Sequence, residues 1–278
     1  MENQDLTESR NHLRFLQEEA AKDSGGFDWA SSGDTTEMSV QYLRKQTSYV
    51  PDRDPELVRR GCYKYPRKEE DQRILHAEEI IRRVRPGPFE DPNYFALLAY
   101  QAASVEITIP WVNRSIFKNY LLGTLHAPFV NAFAKIYQSS DTTTVILHSG
   151  MIDFIYQAAK VVVEAINPQL VTDGTATVRA DTDLEAIKKM LRKNSAPSVR
   201  LCKTLESYFY KGYPRAFAEE KVRNEYGPVL GVLVPLSERW ILAHEYGHAL
   251  TKNVDFSNAS NNPSWAKEFS ADTNATIS

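Results

Sequence analysis

The stretch Ser237-Glu-Arg-Trp-Ile-Leu-Ala-His-Glu-Tyr-Gly-His-Ala-Leu-Thr251 sets two histidines, His244 and His248, four positions apart in an apolar run. Ser237 suits the N-cap of a helix reaching about Lys252, with Asn253 at its C-terminal end. At about 100° per residue the two imidazoles lie within about 40° on one face, a turn apart, so both can reach one ion. Glu245 falls about 60° from His248 on the same side. It is too rigidly adjacent to both histidines for a third ligand, and well placed to take a proton from water activated by that ion. Gly247 costs about 1 kcal/mol of helix stability relative to Ala. Either another backbone approaches beside His248, or the helix packs tightly there for ordinary reasons.

Downstream, Asn262-Pro263 reads as the N-cap and first turn of a second helix carrying Glu268 and Asp272. Twenty positions separate Glu268 from His248, enough chain to reverse and bring the carboxylates beside the first helix. Being four apart, they share a face. The longer Glu268 suits the third ligand, and the shorter Asp272 suits a carboxylate that holds a ligating imidazole by its other nitrogen. Two neutral imidazoles and one carboxylate form a donor set suited to zinc, the expected cofactor.

HEYGH followed by EFSAD resembles the gluzincin metallopeptidases, whose pattern is HExxH on one helix and ExxxD or ExxAD on a later one. The resemblance covers residues 237–278. It implies His244, His248 and Glu268 as zinc ligands, Glu245 as the base and Asp272 as the second carboxylate. More weakly, Val145–Asp153 looks like the strand and helix preceding HExxH in some members, and Trp240–Ala243 with Ala271-Asp272 is similar to bacterial phage-exclusion proteases. The resemblance implies an α+β, mainly helical fold, zincin-like, with a small sheet beside the HExxH helix. Between His248 and Glu268 there is neither Tyr nor His. The group that steadies the tetrahedral oxyanion must come from elsewhere, with His148, Tyr226, Arg223 and Tyr213 as candidates and His148 favoured because it ends a strand before a tight turn. A lone His or Tyr is more often structural, and His12, His76 and His126 are read that way.

Upstream, Val229–Val234 reads as a strand bounded by Gly227-Pro228 and Pro235, an edge on which an extended substrate could pair. Thr142–Leu147 is a second strand, turning at Ser149-Gly150 into a helix over Met151–Ile166 that Asn167-Pro168 ends. Asp183–Lys193 reads as a short charged helix. Residues 5–21 form a helix followed by a loose loop. Pro55 to Arg85 is helical up to Pro86-Gly87-Pro88, and residues 93–138 read mainly as buried helices broken near Pro110 and Pro128. Two regions are therefore expected: 1–140, helical, and 141–278, the metallopeptidase domain. The chain ends at Ser278 inside the Glu268 helix, so either the N-terminal half walls the cleft or the chain is cut short there.

The 278 residues are 42% hydrophobic and 25% charged with net charge −3, ordinary globular usage without the basic field that grips phosphate backbones. Arg59, Arg60, Lys64, Arg67 and Lys68 are followed at once by Glu69, Glu70 and Asp71, the pattern of a solvated helix. No nucleic-acid partner is expected. No apolar leader or span of membrane length appears, and Cys62 and Cys202 stand alone, so a cytoplasmic protein with free thiols is expected. The glycosylation sequons at Asn113, Asn258 and Asn274 are then chance matches. The expected function is zinc-dependent hydrolysis of peptide bonds in a protein or peptide substrate. The alternative is a non-catalytic zinc-binding regulatory or scaffold protein. An intact Glu245 favours the enzyme, because a purely structural site needs no base.

Overall fold

The structure is a computed structural model, describing residues 4–24, 26–48, 67–108, 117, 119–137, 142–173, 175–179, 183–212, 222–223, 226–251 and 271–272. These residues are mainly helical, with a small three-stranded sheet. In chain order the helices before the sheet are α1 (Gln4–Ser24), α2 (Thr35–Ser48), α3 (Arg67–Val84) and α4 (Pro92–Thr108). The strands are β1 (Tyr120–Leu125), β2 (Ala132–Tyr137) and β3 (Thr142–His148), followed by α5 (Ser149–Ile166). A hairpin of β4 (Gln169–Asp173) and β5 (Thr175–Arg179) precedes α6 (Leu184–Lys193), α7 (Ala196–Lys211) and α8 (Gly227–Leu250).

β3 is central, parallel to β1 and antiparallel to β2, with Val145 opposite both Leu122 and Ala134. Every residue of β1 and β3 is buried, as strands covered on both faces must be. Alternation along the strands divides the cover. Ile146, Leu125 and Phe133 pack with Leu13 and Leu16 of α1. Val145, Leu147, Leu122, Ala132 and Ala134 face a larger core shared with α2, α3, α4 and α8. At its centre lies α4, in which Phe95, Ala96, Leu98, Ala99, Ala102, Ala103 and Val105 are all buried; a helix apolar on most sides belongs inside.

Two expectations fail here for local reasons. Residues 93–138 were expected to be mainly helices, broken near Pro110 and Pro128. Among the described residues of this stretch the α-helix is Pro92–Thr108, and β1 and β2 follow, because a short apolar run such as Tyr120–Leu125 is compatible with either structure until it finds a partner. The sheet thus joins two strands from before residue 141 to one after it, and one core runs through both stretches.

Val229–Val234 is not a strand but part of the first two turns of α8, which begins at Gly227 with Pro228 in its first turn, where a proline's missing N–H is no loss. Ser237 is consequently no N-cap. Its hydroxyl donates back to the Leu233 carbonyl at 2.9 Å in mid-helix, two residues past Pro235, which withholds the N–H that Gly231 would have accepted. The helices at Gln4–Ser24, Ser149–Ile166 and Leu184–Lys193 and the strand Thr142–His148 agree with the sequence reading. Asn167 closes α5 in the left-handed conformation. Among the described residues no helix is long and apolar enough to cross a membrane.

Candidate metal centre

His244 and His248 project from one face of the last turns of α8. Their Nε2 atoms stand 3.0 Å apart, the rings meeting edge to face with centroids at 4.6 Å. Two nitrogens each about 2.0–2.1 Å from one ion at a tetrahedral angle would stand about 3.3–3.4 Å apart. The pair is therefore within a few tenths of an ångström of the separation a shared zinc requires. Nδ1 of His244, the nitrogen turned away from His248, lies 2.8 Å from Oδ1 of Asp272. That contact orients the ring so that its other nitrogen, Nε2, faces His248.

Gly247 makes the contact possible. A Cβ there would fall 2.7 Å from the Ala271 Cα and 2.9 Å from its carbonyl oxygen, so the backbone bearing Asp272 comes as close as it does only because no side chain intervenes. Glu245, between the histidines, is buried. Glu268 lies outside the described residues, as do Tyr213, Cys62, residues 59–66 and the three sequons. Among the described residues no group of three His, Cys, Asp or Glu side chains closes a metal site.

The remaining candidates lie away from the pair. Tyr226 stands just before the first residue of α8, eighteen positions before His244, and a rise of about 1.5 Å per residue puts about 27 Å between them. Its hydroxyl donates to Oδ1 of Asn167 at 2.7 Å, closing α5 against α8, and Arg223 lies beside its ring. His148 continues the Ile146 face of β3, the face toward α1, whereas α8 shares its core with Val145 and Leu147. Its ring sits between Phe129 and Phe133, and burial lowers its pKa. Neither His148 nor Tyr226 is positioned to steady an oxyanion at His244 and His248.

Sequence reasoning passed over a buried polar anchor behind the motif. The Tyr246 hydroxyl donates to Oε1 of Glu106 at 3.1 Å, and its ring packs with Phe117 and Tyr120. Oε2 of Glu106 meets Nε2 of His76 at 2.8 Å, and Arg83 approaches to 3.8 Å. The hydrogen bond to Glu106 outweighs desolvation and raises the His76 pKa. Burial pushes the Tyr246 phenol well above its usual range, so it remains a donor. His76 also lines a surface cavity of 570 Å³ with Gln72, Leu75, Glu79 and Ile107, on α3 and α4. About two helical turns before Glu245, the buried Glu238 faces α4, where Nε2 of Gln101 donates to it at 3.5 Å. Desolvation lifts its pKa to about 7. The 140 positions separating Tyr246 from Glu106 leave no local signal of that bond.

No protein family, curated protein or solved structure matches this chain.

Proposed function

We propose that the chain is a zinc-dependent metallopeptidase of the gluzincin type, with a zincin-like catalytic domain, hydrolysing peptide bonds of a cytoplasmic protein or peptide. The observation that carries this reading is the 3.0 Å approach of the His244 and His248 Nε2 atoms. Asp272 on the far nitrogen of His244 supports it. This donor set fits zinc, with Glu268 as the third ligand.

Zinc, when bound, supplies a Lewis acid that polarises a carbonyl and lets water react near neutral pH. Glu245 accepts the proton of the attacking water and passes it to the departing amine. Asp272 keeps His244 in the Nδ1–H tautomer, so that Nε2 presents its lone pair. The buried surroundings of Glu245 strengthen each charge interaction made there.

Elemental analysis and proteolysis test the reading together. Protein purified without chelator should carry one zinc per chain and cut an unfolded protein such as casein. Glu245→Gln should keep the metal and the fold but lose cleavage, since the amide fills the same space and accepts no proton. Absence of metal, with no uptake of added zinc, would sink the proposal. Bound zinc with no cleavage by the unaltered chain would favour a regulatory or scaffold protein.

A further inference from the structure

Val232, Leu236 and Trp240 follow one another at intervals of four on α8, and although large and apolar they are 37%, 50% and 46% exposed. The same interval continues into His244 and His248. The Trp240 ring stacks on that of His244, with centroids 5.7 Å and planes 29° apart, so the row leads up to the imidazole pair. Each step along this row rises about 6 Å and turns about 40°, which keeps Trp240 and Leu236 within about 80° of His244. Scattered exposed apolar residues are ordinary. A row that ends at paired imidazoles is an aligned surface.

We infer, on the footing of the peptidase reading, that Trp240 and Leu236 bind the substrate, an extended peptide with large apolar side chains at alternate positions on one side of the scissile bond. An extended chain advances about 3.3 Å per residue and sends every second side chain to the same face. Its same-face side chains recur at about 6.6 Å, close to the spacing of the row. A helical ligand would match the spacing too, but its carbonyls are engaged in its own hydrogen bonds and cannot turn toward His244 and His248. Trp240 is suited to the position nearest the bond to be cut, because a flat, rigid ring gives large contact area at little entropic cost.

The test uses the full chain carrying Glu245→Gln, which can hold peptides without cutting them. Loaded with zinc and immobilised, it is offered a proteome-derived peptide library, and the retained peptides are sequenced. Phe, Leu, Met and Trp should be enriched at alternate positions. Adding Trp240→Ser or Leu236→Ser should abolish that enrichment and weaken the best peptide about tenfold, with an unchanged circular dichroism spectrum. Retention without the enrichment, enrichment that survives both substitutions, or no retention at all overturns the inference. Self-association that depends on Trp240, seen by sedimentation, would give the row to a second copy and overturn it as well. The two readings fail separately. If apolar peptides are held through Trp240 but the chain with Glu245 intact leaves them uncut, or if the chain holds them without taking up zinc, the binding surface stands and the peptidase reading falls.

Discussion

Oδ1 of Asp272 lies 2.8 Å from Nδ1 of His244, across 28 positions of sequence. The bond engages the nitrogen turned away from His248, so in the proposed site Asp272 would act on a bound zinc through His244. Asp272→Ala should weaken zinc about 10–100-fold and leave the site assembled, as loss of a carboxylate behind a ligating imidazole does. Glu268→Ala, removing the proposed third ligand, should nearly abolish zinc retention. Competition against a chelator of known affinity measures both, and affinities in the reverse order would exchange the two roles.

Gly247→Ala sets helix propensity against packing. Alanine favours an isolated helix by about 1 kcal/mol, yet its Cβ would meet the Ala271 backbone at 2.7 Å, and backbone cannot rotate aside. The substitution should push Asp272 away from His244 and lower zinc affinity with helix content unchanged by circular dichroism. Unchanged affinity would show that the contact has room to relax.

Tyr246→Phe keeps the ring against Phe117 and Tyr120 and removes only the hydroxyl that serves Glu106. A buried carboxylate that loses a donor costs about 1–3 kcal/mol. Urea unfolding should register that loss with an unaltered slope. Stability within about 0.5 kcal/mol of the parent would mean that His76 and Arg83 satisfy Glu106 unaided.

Glu238 makes stability depend on pH. Burial raises its pKa from 4.5 to about 7, so between those values the native chain holds a proton that the unfolded chain releases. Its contribution is fully present below about pH 4.5 and is lost as pH rises through about 7. His76 adds to the decline above its ordinary 6.5, since its native pKa is also raised. Glu238→Gln should therefore flatten the fall in unfolding free energy between pH 4.5 and 7, measured by urea titration at each pH. An equally steep fall would assign it to other groups, among them Glu90, whose buried carboxyl is also raised to about 7.

What could be read from the chain itself depended on interactions spanning a turn or two. The His244 and His248 pairing follows from helical spacing. The helix after His148 follows from its apolar stripe and from Asn167, and the helix after Asp183 from that residue's cap on the Ala186 N–H. These are settled within a few residues by backbone geometry and local hydrogen bonds. Tertiary structure decided the rest. Tyr120–Leu125 and Ala132–Tyr137 became strands because Thr142–His148 offered both its edges, while Val229–Val234 was drawn into α8 despite Pro235 and packs toward Ala159 and Val163 of α5. His148 turned from α8 because a strand alternates its faces. Asp272 reached His244, and Tyr246 reached Glu106, only through chain reversals that bring distant positions together. Such contacts depend on where whole elements pack, and no window of neighbouring residues contains that information.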